Sequence, residues 1–114
     1  MQNVTVKGTV LCNKRRVPNL QVDLYERDIN VIIDPHDKLG SVLTNEVGDF
    51  EVFGKEDEIF TIEPFLKIHH TCNAKPGCEH ISEYVVPKEK IGGIYDMTFI
   101  SLEAVSAKDT VKCP

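Results

Sequence analysis

Four cysteines are the residues of this chain whose type and spacing point most directly to chemistry: Cys12, Cys72, Cys78 and Cys113. Two of them lie near the chain ends, and the other two enclose the short sequence Asn-Ala-Lys-Pro-Gly. Four cysteines permit three pairings. Because a Pro-Gly pair can bend the chain back on itself, we expect a Cys72–Cys78 disulfide at a hairpin tip and a Cys12–Cys113 disulfide that ties the first strand to the C-terminal tail.

Zinc is the alternative chemistry for the central cysteines. His69, His70 and His80 lie next to them in the sequence, and thiolates and neutral imidazoles are the ligands that zinc prefers. The spacing matches no common zinc module, and an oxidising compartment would convert the thiols into disulfides. We therefore predict two disulfides, no metal and no cofactor.

A basic run, Lys14-Arg15-Arg16, follows Cys12 on a predicted loop between the first two strands. Arginine binds phosphate through paired hydrogen bonds, and lysine binds it as a point charge. A disulfide at Cys12 would hold the base of this loop, so the run is the candidate site for an anionic ligand. A solvated surface loop has the same composition and is the alternative interpretation.

Acidic residues are spread over the predicted loops and could supply calcium ligands if those loops converge. They show no calcium-loop spacing, so solubility and turn hydrogen bonds are the expected roles of Asp34, Asp37, Asp49, Glu56, Asp57 and Glu58.

Composition and length indicate one extracellular domain spanning residues 1–114. Hydrophobic residues make up 41% of the chain, which is enough for a core, and the net charge of −5 argues against a nucleic-acid partner. Asn3-Val4-Thr5 is an N-glycosylation sequon, with Asn3 as the acceptor, and it agrees with the cysteines about secretion. Met1 opens no apolar signal-peptide segment, so we expect any natural leader to have been removed.

The elements that must position these residues are β-strands, because apolar residues alternate with polar ones and no helical period is sustained. The predicted strands cover residues 4–12, 20–25, 41–44, 50–53, 60–72, 81–86 and 94–105. A loop is expected over 28–40, a tight turn over 45–49 and a helical turn over 55–58. Gly54 is expected to end a strand, and Pro64 to mark an edge strand or a bulge. This pattern predicts an all-β protein of seven to eight strands, an antiparallel β-sandwich or partly open barrel.

Motifs along nearly the whole chain resemble the nematode transthyretin-like family of small secreted proteins. Those motifs are Val6-Lys7-Gly8, Cys12-Asn13, Val22 to Asp28, Asp34 to Leu39, Gly48 to Glu51, Asp57-Glu58, Ile62 to Pro64, Ile68 to Asn73, Ile91 to Asp96 and Cys113. The resemblance implies a transthyretin-like (prealbumin-like) fold of two antiparallel sheets packed face to face. The sequence departs from the family at His36, where a second aspartate is usual.

The resemblance also implies a function. The best-studied member of the family is a secreted protein that recognises phosphatidylserine on apoptotic cells and presents it to a phagocyte receptor. We expect this binding role, with lipid contacts from Lys14, Arg15 and Arg16, and no enzymatic activity. A carrier of a small hydrophobic ligand is one alternative. A 5-hydroxyisourate hydrolase is another, although residues 109–114 do not match the Tyr-Arg-Gly-Ser-type ending of those enzymes.

Overall fold

The computed structural model describes residues 2–27, 36–56, 63–104 and 108–114, and these form nine β-strands. The strands are β1 (Gln2–Cys12), β2 (Arg15–Arg16), β3 (Gln21–Arg27), β4 (His36–Leu43), β5 (Asp49–Glu56), β6 (Glu63–His70), β7 (Glu79–Val85), β8 (Ile94–Ser101) and β9 (Lys108–Lys112). A three-residue 3-10 turn, Lys88–Lys90, is the helical segment of these ranges, and it is far too short to cross a membrane.

The strands form two sheets, and the predicted all-β, transthyretin-like sandwich is confirmed. The first sheet is built around β1, with β5 and β2 antiparallel along one side of it and β8 parallel along the other. The second sheet has the strand order β4-β3-β6-β7-β9 and is antiparallel throughout. The described residues therefore form nine strands where the sequence analysis expected seven or eight.

The core lies between the two sheets and consists of alternate residues of their central strands. Each strand turns every second side chain inward, so an apolar residue at alternate positions builds a continuous buried layer. The first sheet contributes Val4, Val6, Val10, Val52 and Ile100, and the second contributes Val22, Leu24, Leu66 and Ile68, all at most 3% exposed.

One corner of the sandwich is closed by two glycines that let β4 and β5 approach each other. A Cβ atom on Gly40 would lie 2.5 Å from the backbone oxygen of Phe53, and one on Gly54 would lie 2.6 Å from Cβ of Leu39. No larger side chain fits either position without moving the backbone. The prediction that Gly54 ends its strand was wrong, because β5 continues through this close contact to Glu56.

The loop expected over residues 28–40 is wrong for residues 36–40, because β4 begins at His36. Residues 28–35 lie outside the described ranges, as do residues 57 and 58 of the expected helical turn. Lys55 and Glu56 of that turn are strand. Pro64 lies on neither an edge strand nor a bulge, because β6 pairs with both β3 and β7. Its carbonyl oxygen accepts the N–H of Val86, the residue after β7, at 3.0 Å.

The tight turn over residues 45–49 is confirmed. The Oδ1 atom of Asn45 accepts hydrogen bonds from the N–H groups of Val47 and Asp49, at 3.0 and 2.9 Å. Gly48 adopts φ = +80°, and its oxygen accepts the N–H of Val10 at 2.8 Å. The turn is thereby attached to β1 close to the basic run.

Candidate functional site

All four cysteines are in disulfides, but the predicted pairing was wrong: the bonds are Cys12–Cys72 and Cys78–Cys113. The second bond follows from the register of β7 and β9, in which Glu79 lies opposite Lys112. The next residues outward on these two strands are Cys78 and Cys113, and their Cα atoms are 4.2 Å apart. The tail was expected to meet β1, whereas it returns as an edge strand beside β7.

The other bond, Cys12–Cys72, joins the two sheets at one end of the sandwich. Residues 71–78 make two successive turns, closed by hydrogen bonds from Ala74 N to Thr71 O and from Cys78 N to Lys75 O, instead of one hairpin tip. Cys72 therefore faces the end of β1, with its Cα 5.8 Å from that of Cys12. The oxidised sulfurs are no longer the thiolates that the zinc alternative requires.

The basic run, which was expected on a loop between the first two strands, lies on a β-hairpin formed by β1 and β2. Asn13 and Lys14 both adopt positive φ values, 50° and 69°, which is the geometry of a two-residue hairpin turn. Cys12 pairs with Arg15 across this turn, and the last residue of the run, Arg16, pairs with Leu11. All three cationic residues are exposed. We call residues 12–16 the basic hairpin.

Two asparagines and a backbone carbonyl anchor the basic hairpin to its surroundings. The Nδ2 atom of Asn13 donates a hydrogen bond to Oδ1 of Asn73 at 2.9 Å, beside the disulfide. The Nη1 atom of Arg16 donates to the oxygen of Val47 at 3.0 Å. Neither asparagine was predicted as a site residue, although each directly follows one of the two bonded cysteines and asparagine readily adopts positive φ.

A carboxylate lies next to the turn of the basic hairpin. The Oε1 atom of Glu103 accepts the backbone N–H of Asn13 at 3.0 Å. This hydrogen bond is the main cause that lowers the pKa of Glu103, and its own backbone N–H and the charge of Lys14 lower it further. Glu103 is therefore ionised at neutral pH, and the site presents one negative charge beside its positive ones.

A cleft of about 340 Å3 opens between the basic hairpin and the turn that follows β6. Apolar side chains of Val17, Leu20 and Leu102 form part of its wall, and Asn13, Thr71 and Asn73 form part of its polar rim. The disulfide Cys12–Cys72 runs along it, and His70 also lines it. The cleft is at the small end of the usual range for ligand pockets.

His70 and Ser82 form a buried pair beneath this cleft, with His70 Nε2 2.9 Å from Ser82 Oγ. The Nδ1 atom of His70 accepts the N–H of Cys72, so Nε2 carries the proton and donates it to Ser82. A serine nucleophile needs the reverse arrangement, in which an unprotonated Nε2 takes the hydroxyl proton. Ser82 is also completely buried. This pair therefore serves the packing of the second sheet.

Burial lowers the pKa of His70, so the imidazole stays neutral at pH 7. The charge of His80, whose ring stacks on that of His70 at 5.4 Å, lowers it further, whereas Asp109 and Glu79 raise it.

Carboxylates of Glu26, Asp37 and Glu56 come together at a different place, where β3, β4 and β5 meet. One oxygen of each lies within 4.8 Å of the others. Oxygen ligands of this kind suit calcium, although acidic groups also gather without an ion. Of the other predicted acids, Asp49 instead accepts a hydrogen bond from the hydroxyl of Thr9, and Asp34, Asp57 and Glu58 lie outside the described residues.

Comparison with known proteins agrees with this architecture. Transthyretin-like protein 16 of Caenorhabditis elegans is 47% identical over 114 residues, which cover 99% of this chain and 84% of that protein. Transthyretin-like protein 5 of the same organism is 37% identical over 109 residues, covering 89% and 76%. The crystal structure of a 9R-lipoxygenase from Cyanothece PCC8801 aligns with 87% of this chain and 16% of its own, with a TM-score of 0.55 at 15% identity, which is a likeness of fold alone. The model of the Transthyretin-like family matches residues 7–87, and the chain belongs to that family.

Proposed function

We propose that this protein is a secreted bridging protein, which binds phosphatidylserine on the surface of apoptotic cells and links that surface to an engulfment receptor on a phagocyte. The observation that carries the proposal is the basic hairpin, which presents Lys14, Arg15 and Arg16 together on a rigid, exposed turn of a chain whose net charge is −5. Its two disulfides agree with an extracellular setting.

The charges of the site match those of the headgroup. Phosphatidylserine carries a phosphate, a carboxylate and an ammonium group. Lys14 and Arg15 supply cations for the two anionic groups, with arginine able to bind either in a bidentate way. Glu103, ionised and hydrogen-bonded at the same turn, supplies an acceptor for the ammonium group. Phosphatidylglycerol, whose headgroup ends in hydroxyl groups, offers no ammonium for this carboxylate.

The rigidity of the basic hairpin increases the binding affinity that these charges provide. The Cys12–Cys72 disulfide and the Asn13–Asn73 hydrogen bond hold the hairpin in place before any ligand arrives, so little conformational entropy is lost on binding. Each basic residue close to an anionic membrane contributes about 1 kcal/mol, so three contribute about 3 kcal/mol, or roughly a 100-fold change in partition coefficient.

The test is flotation of the protein with vesicles of phosphatidylcholine alone, or mixed with equal fractions of phosphatidylserine or phosphatidylglycerol. The variant Lys14→Ala/Arg15→Ala/Arg16→Ala should lose roughly 100-fold in binding to phosphatidylserine vesicles. A matched control replaces Lys88, Lys90 and Lys108, three exposed lysines away from the hairpin. Both variants have a formal net charge of −8, which is −5 minus three positive charges, so only the position of the lost charge differs.

Each outcome bears on a separate part of the proposal. Equal binding to phosphatidylcholine and phosphatidylserine would refute it and favour the carrier alternative, in which the cleft holds a small apolar molecule regardless of headgroup. Equal losses in the two triple variants would refute the assignment to the basic hairpin. Glu103→Gln should abolish the preference for phosphatidylserine over phosphatidylglycerol. Loss of binding on addition of EDTA would transfer the site to the cluster of Glu26, Asp37 and Glu56.

The bridging part of the proposal needs a second experiment. Phosphatidylserine vesicles should be captured by phagocytes only when the protein is added, and the triple variant should abolish this capture. Vesicle binding without any added capture by phagocytes would leave a lipid-binding protein and would refute the bridging role.

A further inference from the structure

The N-glycosylation sequon lies on the outer face of the first sheet. Val4 and Val6 point into the core, so Asn3 and Thr5, their neighbours on β1, point to the outside. The Asn3 side chain makes no hydrogen bond to any residue in the described ranges, whereas its backbone oxygen accepts the N–H of Gly92 at 2.6 Å. The side-chain amide that would carry a sugar is thus not committed to another described residue.

The surface beside Asn3 has room for a sugar. Gly92 and Gly93 flank it on the side of β8, before that strand begins at Ile94. A Cβ atom added to Gly92 would meet nothing within 4 Å, so this side is open. Lys55 faces Asn3 across the pair with β5, and a long, exposed lysine can move aside.

An apolar row crosses the same face one step further along β1. Thr5, the hydroxyl residue of the sequon, pairs with Phe53 on one side and with Ile94 on the other. Phe53 is 54% exposed and Ile94 is 58% exposed, so both leave much apolar area in water. In the described part of the chain, β8 is also an edge strand of this sheet, whereas β4 approaches the outer side of β5 at Phe53. An open edge with apolar side chains favours unwanted pairing of strands between molecules.

We propose that Asn3 carries an N-linked glycan whose first sugars lie across Thr5 and cover Phe53 and Ile94. In the attachment step, the amide nitrogen of Asn3 attacks the anomeric carbon of an oligosaccharide linked to a lipid diphosphate. The new bond joins nitrogen to carbon, the bond from carbon to the phosphate oxygen breaks, the lipid diphosphate leaves, and one amide proton is lost.

The sequon itself indicates that a glycan is the group that covers this apolar surface. A covalently held sugar has a high local concentration at this face, which neither a second copy nor a separate partner has. The apolar ring faces of a sugar suit Phe53, as its hydroxyl groups suit the surrounding water. Asn3 and Cys12 lie at opposite ends of β1, about 30 Å apart at 3.3 Å per residue, so the glycan leaves the basic hairpin open. The inference therefore stands whether or not the basic hairpin binds lipid.

The first test is the mass of the chain secreted, behind an added leader, from a mammalian cell line. The protein should carry a glycan mass that an N-glycan amidase removes, with conversion of the Asn3 amide to an acid. Asn3→Gln and Thr5→Val should abolish the added mass. Thr5→Ser keeps the sequon and should retain it. A folded, secreted wild-type chain without the glycan mass would overturn the proposal.

The second test asks where the sugars lie. The melting temperature of the glycosylated protein should exceed that of the amidase-treated protein by about 3 to 5 °C. Phe53→Ser should abolish this gain, whereas Phe99→Ser should keep it; Phe99 is a matched control because it is 61% exposed but pairs with Thr9, further along β1. An equal gain in the wild type and both variants would overturn the contact with Phe53. If the secreted chain is unmodified and forms dimers that Phe53→Ser dissociates, this face would instead be a dimer interface.

Discussion

Removing the Cys12–Cys72 disulfide by the double replacement Cys12→Ser/Cys72→Ser should destabilise the fold without unfolding it. In the chain-entropy account, the cross-link restrains a denatured loop spanning a separation of 60 residues, and its loss costs about 4.3 kcal/mol. The other bond spans 35 residues, and the same relation gives about 3.8 kcal/mol for Cys78→Ser/Cys113→Ser. The two double variants should therefore be almost equally destabilised.

The alternative pairing predicts a different result. A Cys72–Cys78 bond would close a loop of about six residues and contribute about 2 kcal/mol, whereas Cys12–Cys113 would close one of about 100 residues and contribute about 5 kcal/mol. Under that pairing, Cys12→Ser/Cys72→Ser would break both bonds and leave Cys78 and Cys113 as unpaired cysteines. The structure instead leaves Cys78 and Cys113 bonded to each other.

The assay combines thermal unfolding with titration of free thiols in the folded state. Cys12→Ser/Cys72→Ser should melt about 12 to 24 °C below the wild type and show no free thiol. The control Cys12→Ser/Cys113→Ser removes one partner from each bond and should show two free thiols, on Cys72 and Cys78. Two free thiols in the folded first variant, or none in the control, would refute the pairing.

Two further predictions concern single residues. Burial lowers the pKa of His70 in the folded state, so below pH 6.5 the unfolded chain binds a proton that the folded chain resists, and the free energy of unfolding falls as the pH drops through that window. Urea unfolding between about pH 7 and pH 5 should show this loss of stability. His70→Gln should remove the pH-dependent loss, and His69→Gln should keep it. A pH dependence that is unchanged in His70→Gln would contradict the reasoning. Gly48→Ala should cost about 1 to 3 kcal/mol in urea unfolding, because φ is +80° and the new Cβ would lie 2.8 Å from the oxygen of Val10. Gly92→Ala has the same backbone conformation in open space and should cost less, so equal costs would show that this contact does not matter.

Local alternation was sufficient to predict most of the strands. β1, β3, β5 and β6 each turn apolar residues inward at alternate positions, and the period of two is visible without knowledge of any partner. β7 and β8 show it less clearly, because the buried residue of β7 is Ser82 and that of β8 is Ile100. β9 was missed because its residues are largely exposed and Val111 is its one apolar side chain, so no alternation marks it. β2 was missed for the same reason, since both its residues are exposed arginines.

The disulfide pairing could not be predicted because it depends on contacts between segments far apart in the sequence. Cys78 meets Cys113 only because β9 returns beside β7, and no feature of the sequence of residues 108–112 indicates that they pair with β7. Cys72 turns away from Cys78 because residues 71–78 make two turns, whereas the Pro-Gly pair predicts only the second. The three cations of the candidate site were predicted, but Glu103, contributed from about 90 residues along the chain, was not.

The two disulfides should differ in function although they are similar in stability. Cys12–Cys72 is at the base of the basic hairpin and joins it to the turn after β6, whereas Cys78–Cys113 joins two strands of the same sheet. In the described part of the chain, loss of the first bond leaves the Asn13–Asn73 hydrogen bond as the link between the hairpin and the turn after β6, so ordering the hairpin on a membrane then costs conformational entropy. Under conditions where both double variants are folded, Cys12→Ser/Cys72→Ser should therefore bind phosphatidylserine vesicles several-fold more weakly than Cys78→Ser/Cys113→Ser. Equal binding would mean that the hairpin needs no preorganisation, and the charges alone would then have to account for recognition.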